Sequence, residues 1–198
     1  MSRHPNYVAA TNAAYRVLIK QRSFSFTTDV FAIAEQLENC RLFTYGQACA
    51  LYGFEWDDLI AQSEFGFTIL SRCDNARIIL YNETKPYYNM RFTIAHEIGH
   101  AVLGHSEENQ PWEEQEANCF ARNLLCPIPT VYAFDLQTDE DYVLTFTVSE
   151  QMANISNGKR ELDRLNISNH NWSALSDMIE AYINGFESVD AFYWYLVS

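Results

Sequence analysis

No stretch of the 198-residue chain is apolar for the roughly 20 residues that a membrane-spanning helix needs. It also has no internal repeat and no low-complexity tract. A transmembrane helix, a repeat array and a disordered tail are thereby excluded as organising principles. Paired cysteines are missing too. Cys40, Cys49, Cys73, Cys119 and Cys126 are odd in number and contain no C-x-x-C, so no disulfide framework is implied. They read as small buried hydrophobes of a reducing compartment. Residues 1–6 are polar and lack the apolar stretch and small-residue cleavage site of a secretory signal, so a cytoplasmic location is expected. Sequons such as Asn82-Glu83-Thr84 then carry no meaning. Positive charge is scarce: 13 Lys and Arg stand against 26 Asp and Glu, a net charge of −13. That balance argues against direct nucleic-acid binding, which needs a cationic footprint.

What is present suffices for a packed core, with 48% hydrophobic and 15% aromatic residues. Length alone suggests one ordinary domain, or a compact core with an extension. Charge is uneven along the chain. Arg3, Arg16, Lys20 and Arg22 all precede the first acid, Asp29. Acids crowd at Glu107, Glu108, Glu113, Glu114 and Glu116, and again at Asp135, Asp139, Glu140 and Asp141. Solubility is their plain meaning; a negative rim steering a basic partner toward a cleft is the functional one.

Periodicity gives an α+β chain. Val8, Ala9, Tyr15, Leu18 and Ile19 predict a helix over 6–22. A second helix, capped at Thr27 or Thr28 and reaching Asn39, has Val30, Ile33, Ala34 and Leu37 on one face. A strand over 41–45, a short helix over 46–52 and strands over 65–71 and 76–81 follow. Next comes a helix over 90–103, closed by Gly104. Pro111 suits the start of a helix over 112–125, which Pro127 and Pro129 stop. Further helices are expected near 149–165 and 173–183. The aromatic tail 191–197 suits either a strand or a docked helix.

The chemistry lies in His96-Glu97-Ile98-Gly99-His100. On a helix, residues four apart share a face with Cβ atoms about 5–6 Å apart, so the two imidazoles can converge on one small cation. Glu97 sits about 100° further round, too far to join them easily but placed to deprotonate a water at the metal. Ile94, Ile98, Ala101 and Val102 form an aliphatic stripe on the opposite side. The helix over 112–125 can cover the histidine face, with Ala117, Phe120, Ala121 and Leu124 inward and Glu116 at their edge. A carboxylate there is costly unless it meets a cation. Two His and one Glu form a zinc set that leaves the fourth position for water. Glu113, one turn before Glu116, shares nearly the same face and stays open as the alternative third ligand. His105 suggests the longer metzincin pattern, but that needs Gly at 103 and His at 106, where Leu103 and Ser106 stand. His105 is therefore read as a loop residue near the cleft rim.

These residues resemble the ImmA/IrrE family of small zinc-dependent metallopeptidases. The first matching block is Arg91-Phe92-Thr93-Ile94-Ala95-His96-Glu97-Ile98-Gly99-His100, with Leu103-Gly104-His105 after it. The second is Glu116-Ala117-Asn118-Cys119-Phe120-Ala121, ending at Leu124-Leu125-Cys126-Pro127. Cys126 stands where the family usually has a Met-like residue. The resemblance implies a small zincin-like core with Zn2+ held by His96, His100 and Glu116, and Glu97 as catalytic base. It favours Glu116 over Glu113. Phe120 follows Glu116 by four residues, where other Glu-zincins carry an Asp that orients a ligand histidine. Better-known members cleave or inactivate helix-turn-helix repressors of mobile elements or stress regulons.

The expected organisation is a metallopeptidase core over 1–134, with a short three-stranded sheet packed on the two ligand helices. A mainly helical extension over 135–198 packs on that core. The expected function is a cytoplasmic zinc endopeptidase of narrow specificity acting on a protein substrate, a DNA-binding repressor, without contacting nucleic acid or membrane. The strand over 76–81 is expected to lie along the cleft and pair with extended substrate. The competing function is a regulatory module in which metal stabilises the fold and partner binding replaces proteolysis; Glu97, which a structural site has no need of, favours catalysis.

Overall fold

A computed structural model describes residues 4–106 and 110–198 as a mixed α+β chain. It forms two compact units, one built on Asp29–Ala121, the other on Asn6–Thr28 together with Arg122–Ser198. Among the described residues, no helix is long and apolar enough to cross a membrane.

The unit of Asn6–Thr28 and Arg122–Ser198 is helical. Helix α1 (Tyr7–Lys20) starts where the Asn6 side chain accepts from the Ala9 N–H at 3.0 Å. It packs against α10 (Arg160–Asn166) and α11 (Asn169–Ile183), and α11 also packs on α7 (Ile128–Ala133) and α12 (Val189–Val197). Helices α8 (Asp139–Phe146) and α9 (Glu150–Gly158) pack on each other. Tyr15 ties this unit together: its hydroxyl donates to Asn123 Oδ1 at 2.7 Å and accepts from the Ile128 N–H at 3.1 Å. Arg122 and Asp163 form a buried bidentate pair at 2.8 and 2.7 Å.

Several boundaries moved for local reasons. Asp29, not Thr27 or Thr28, caps α2 (Val30–Gln36), because its carboxylate accepts from both Phe31 and Ala32 N–H. The Thr28 hydroxyl instead donates to the Leu124 carbonyl. Pro127 and Pro129 end one helix but open α7, since proline's missing N–H costs nothing in a first turn. The helix expected over 149–165 is two, divided at Lys159 after Gly158. The aromatic tail is helix α12, started by a Ser188 cap on the Ala191 N–H.

The other unit is organised on three strands, β1 (Cys40–Thr44), β2 (Gly66–Leu70) and β3 (Arg77–Tyr81), in the order β1-β3-β2. β1 runs parallel to β3 and β2 antiparallel. Phe43, Leu80 and Phe67 are register partners and share one face with Ile78 and Ile69. That face packs with Tyr45, Ala48, Leu59 and Trp56 of α3 (Tyr45–Tyr52) and α4 (Trp56–Gln62). Thr44 and Gln47 make the capping box that starts α3. The other face presents Leu42, Ile79 and Thr68, and α5 (Tyr87–Leu103) packs on β2 and β3. The apolar run Ile78-Ile79-Leu80 is therefore a strand covered on both faces. This corrects the role expected of it. β3 is the central strand, both its edges are already paired, and no substrate segment can add to it. The cysteine expectation also needs amending: Cys119 and Cys126 are buried, but Cys73 is exposed in the turn between β2 and β3.

Candidate metal centre

Helix α5 extends one turn further back than its sequence signal, to Tyr87, and closes at Gly104, whose φ of 69° is the left-handed conformation the cap needs. The next helix, α6 (Pro111–Leu125), lies close against it. A Cβ on Gly99 would sit 3.1 Å from the Phe120 ring, so a larger residue there would need Phe120 to give way by a few tenths of an ångström. Glu113 fastens the connection between them. Its carboxylate accepts from the Ser106 N–H and hydroxyl at 2.9 and 3.0 Å, and from the Gln110 N–H at 2.9 Å.

His96 and His100 converge as the spacing demanded, with their Nε2 atoms 3.0 Å apart. The carboxylate that meets them belongs to Glu114. Its two oxygens lie 3.3 Å from His96 Nε2 and 3.3 Å from His100 Nε2. Among the described residues, His96, His100 and Glu114 form the group whose ligand atoms all lie within 4.8 Å of one another. Glu116, expected as third ligand, is not brought to the pair. Its carboxylate accepts from His105 Nε2 at 3.0 Å, and both side chains are buried. Glu113, the alternative, is committed to Ser106 and Gln110. His105 is likewise no rim residue: it is 4% exposed, its Nδ1 is 3.0 Å from His100 Nδ1, and Arg77 grips its carbonyl at 2.7 Å.

The opposite ring nitrogen of His96 is occupied as well. Asn118 Oδ1 lies 3.0 Å from His96 Nδ1 and, as an acceptor, leaves the proton on Nδ1 and a lone pair on Nε2. Asn118 follows Glu114 by four residues, so one face of α6 supplies both a carboxylate for the cluster and the group that orients a histidine. Phe120 holds the corresponding place relative to Glu116, so the pairing emerges only when it is counted from Glu114. The signal was available in Glu114-Gln115-Glu116-Ala117-Asn118, as two polar residues at helical spacing. The proposed acidic rim is altered by the same facts: Glu113 and Glu116 are buried against partners, Glu114 meets the histidines while half-exposed, and Glu107 and Glu108 lie outside the described residues.

Electrostatics agree with a site built for positive charge. Burial would push His96 down, but its hydrogen bond to Glu114 and the charges of Glu97 and Glu114 more than reverse this and raise its pKa. Glu114 is lowered, chiefly by the hydrogen bond to His96. Burial and then the His96 charge drive His100 down to about 4, keeping its ring neutral at ordinary pH. Glu97 is raised above the ordinary carboxylate range by burial, against the lowering effect of His96 and the Thr68 hydroxyl. A raised carboxylate beside a cation site has the affinity for protons that a general base needs.

The family model for peptidase M78, the IrrE N-terminal-like domain, matches residues 57–156. The chain belongs to this family. No curated protein sequence matches it. The M78 match begins within α4, takes in β2, β3, α5 and α6, and ends in α9, so every residue of the cluster falls inside it. Membership in M78 makes the chain a relative of metallopeptidases of the ImmA/IrrE type, for which a bound metal is the implied cofactor.

Proposed function

We propose that this chain is a zinc-dependent endopeptidase of narrow specificity, with His96, His100 and Glu114 holding the ion and Glu97 serving as general base. One observation carries the reading. Two imidazoles and a carboxylate converge on one spot, with the Nε2 atoms 3.0 Å apart and the Glu114 oxygens 3.3 Å from each, an arrangement that a bound cation stabilises. Nitrogen and oxygen donors in this ratio suit zinc. When bound, zinc supplies Lewis-acid polarisation of a peptide carbonyl and acidifies a water. Glu97 takes that water's proton and delivers it to the departing amine nitrogen. Asn118 holds the His96 ring in the orientation binding requires.

A structural metal site has no use for a half-buried, proton-seeking carboxylate one residue from a ligand, and this favours catalysis over a metal-stabilised binding module. The family points to a helix-turn-helix repressor as substrate, in the manner of an anti-repressor acting in the cytoplasm. The chemistry is assigned to residues 1–134, and residues 135–198 form the extension. The experiment is zinc analysis and cleavage of a candidate helix-turn-helix repressor by wild type and Glu97→Gln. The variant should retain zinc and lose cleavage. Undiminished cleavage would end the assignment of the base; a complex with repressor that forms equally well without any cleavage by wild type would favour the binding module.

A further inference from the structure

We propose that Glu116 and His105 form a positioning relay that holds His100 with its proton on Nδ1 and its Nε2 lone pair directed at the metal. The inference rests on the ligand set proposed above and adds two residues that touch no ion. The relay follows from counting protons inward from the carboxylate. Glu116 Oε2 can only accept, so His105 Nε2, 3.0 Å away, carries a hydrogen. With its one hydrogen on Nε2, His105 presents a bare Nδ1 in the proposed relay. That atom lies 3.0 Å from His100 Nδ1, and two ring nitrogens at this distance hold one proton between them unless a metal ion takes its place, as proposed between His96 and His100. The proton belongs to His100, whose remaining nitrogen is therefore the lone pair facing Glu114 and His96. Carboxylates commonly orient a metal-binding imidazole directly. Here the carboxylate acts through a second imidazole.

The surroundings fix this chain of contacts in place. His100, His105 and Glu116 are 5%, 4% and 5% exposed, so water does not compete for their hydrogen bonds. Arg77, on the central strand, holds the His105 backbone through its carbonyl, and the Trp112 ring stands edge-on to the His105 ring at 5.8 Å. His100 and His96 are thus steered by different devices, one through His105 and Glu116, the other through Asn118.

The test uses the full chain, with zinc affinity measured by chelator competition and the zinc-loaded, nitrogen-15-labelled protein examined by NMR. Wild type should show a scalar coupling between His100 Nδ1 and His105 Nδ1 across their shared proton. Glu116→Gln keeps an oxygen that accepts from His105, so coupling and affinity should stay near wild type. Glu116→Leu and His105→Phe should lose the coupling and weaken zinc binding by about 10- to 100-fold. Absence of the coupling in wild type would overturn the relay, and so would unchanged affinity in Glu116→Leu. Glu116→Gln losing zinc as completely as Glu114→Gln would overturn it too, by making Glu116 a ligand. Should the Leu and Phe variants fail to fold, the wild-type coupling and the Gln rescue decide the matter. Failure of the metal reading is separate: wild type would bind no zinc, or Glu114→Gln would bind it as well as wild type.

Discussion

Replacing Asp163 with Leu should cost about 3–5 kcal/mol, because it leaves the Arg122 guanidinium buried without its counter-charge. The side chains of Arg122 and Asp163 are only 9% and 6% exposed, so solvent does little to screen the pair. Two parallel contacts at 2.8 and 2.7 Å are lost together, along with the Asn123 amide's contact to the same carboxylate at 3.3 Å. For a chain of this length, each kcal/mol moves the melting temperature by roughly 2–4 °C, which gives a drop of about 6–20 °C. Scanning calorimetry measures it. The double variant Arg122→Met with Asp163→Leu should recover most of the loss, since removing both charges also removes the desolvation penalty. If Asp163→Leu lowered the midpoint by less than about 2 °C, equivalent to under 1 kcal/mol, the pair would not be a dry one. The reasoning from its burial would then fail.

Asn118→Ala should weaken zinc binding about 10-fold by freeing the His96 ring to rotate, as read by chelator competition; equal affinity would remove Asn118 from the site. Acid titration should single out Asp74. Hydrogen bonds from Ser71 and the Ala76 N–H, with Arg41 beside it, hold its carboxyl at about 2. A depressed carboxyl stabilises the fold above its unfolded value, near 3.9, and loses that contribution as pH falls through the folded one. Carbon-13 NMR should find its midpoint near 2, and Asp74→Asn should be the less sensitive protein between pH 4 and 2; a midpoint near 4 would contradict the turn's geometry.

The ligand helix was readable because its signals reinforce one another: a His pair at helical spacing, an aliphatic stripe behind it and a glycine to close it. Strands were readable from β-branched and aromatic runs, but their order was not. Hydrophobicity shows that Ile78-Ile79-Leu80 is buried and cannot show that it lies between two neighbours. Short helices escaped where capping outweighed periodicity. In α8, Thr138 and Asp141 cap each other's backbone and set the start without an apolar stripe to announce it. The structure brings Glu114 rather than Glu116 to the histidine pair, for a related reason. Glu116 adjoins the inward residues Ala117 and Phe120, so its burial suggested the metal, when the burial is answered by His105. In the sequence Glu114 is only one of a run of acids, and only the fold shows that it and Asn118 meet His96.

Helix α6 begins in one unit and finishes in the other, since the division falls after Ala121 while the helix continues to Leu125. A minimal fragment trimmed to the strands and the paired histidines would end its second rod one turn early. It would also discard α1, whose Tyr15 grips Asn123, and the Thr28 hydroxyl that holds the Leu124 carbonyl. Excision at that border therefore cuts through α6 and discards the groups that hold its last turn.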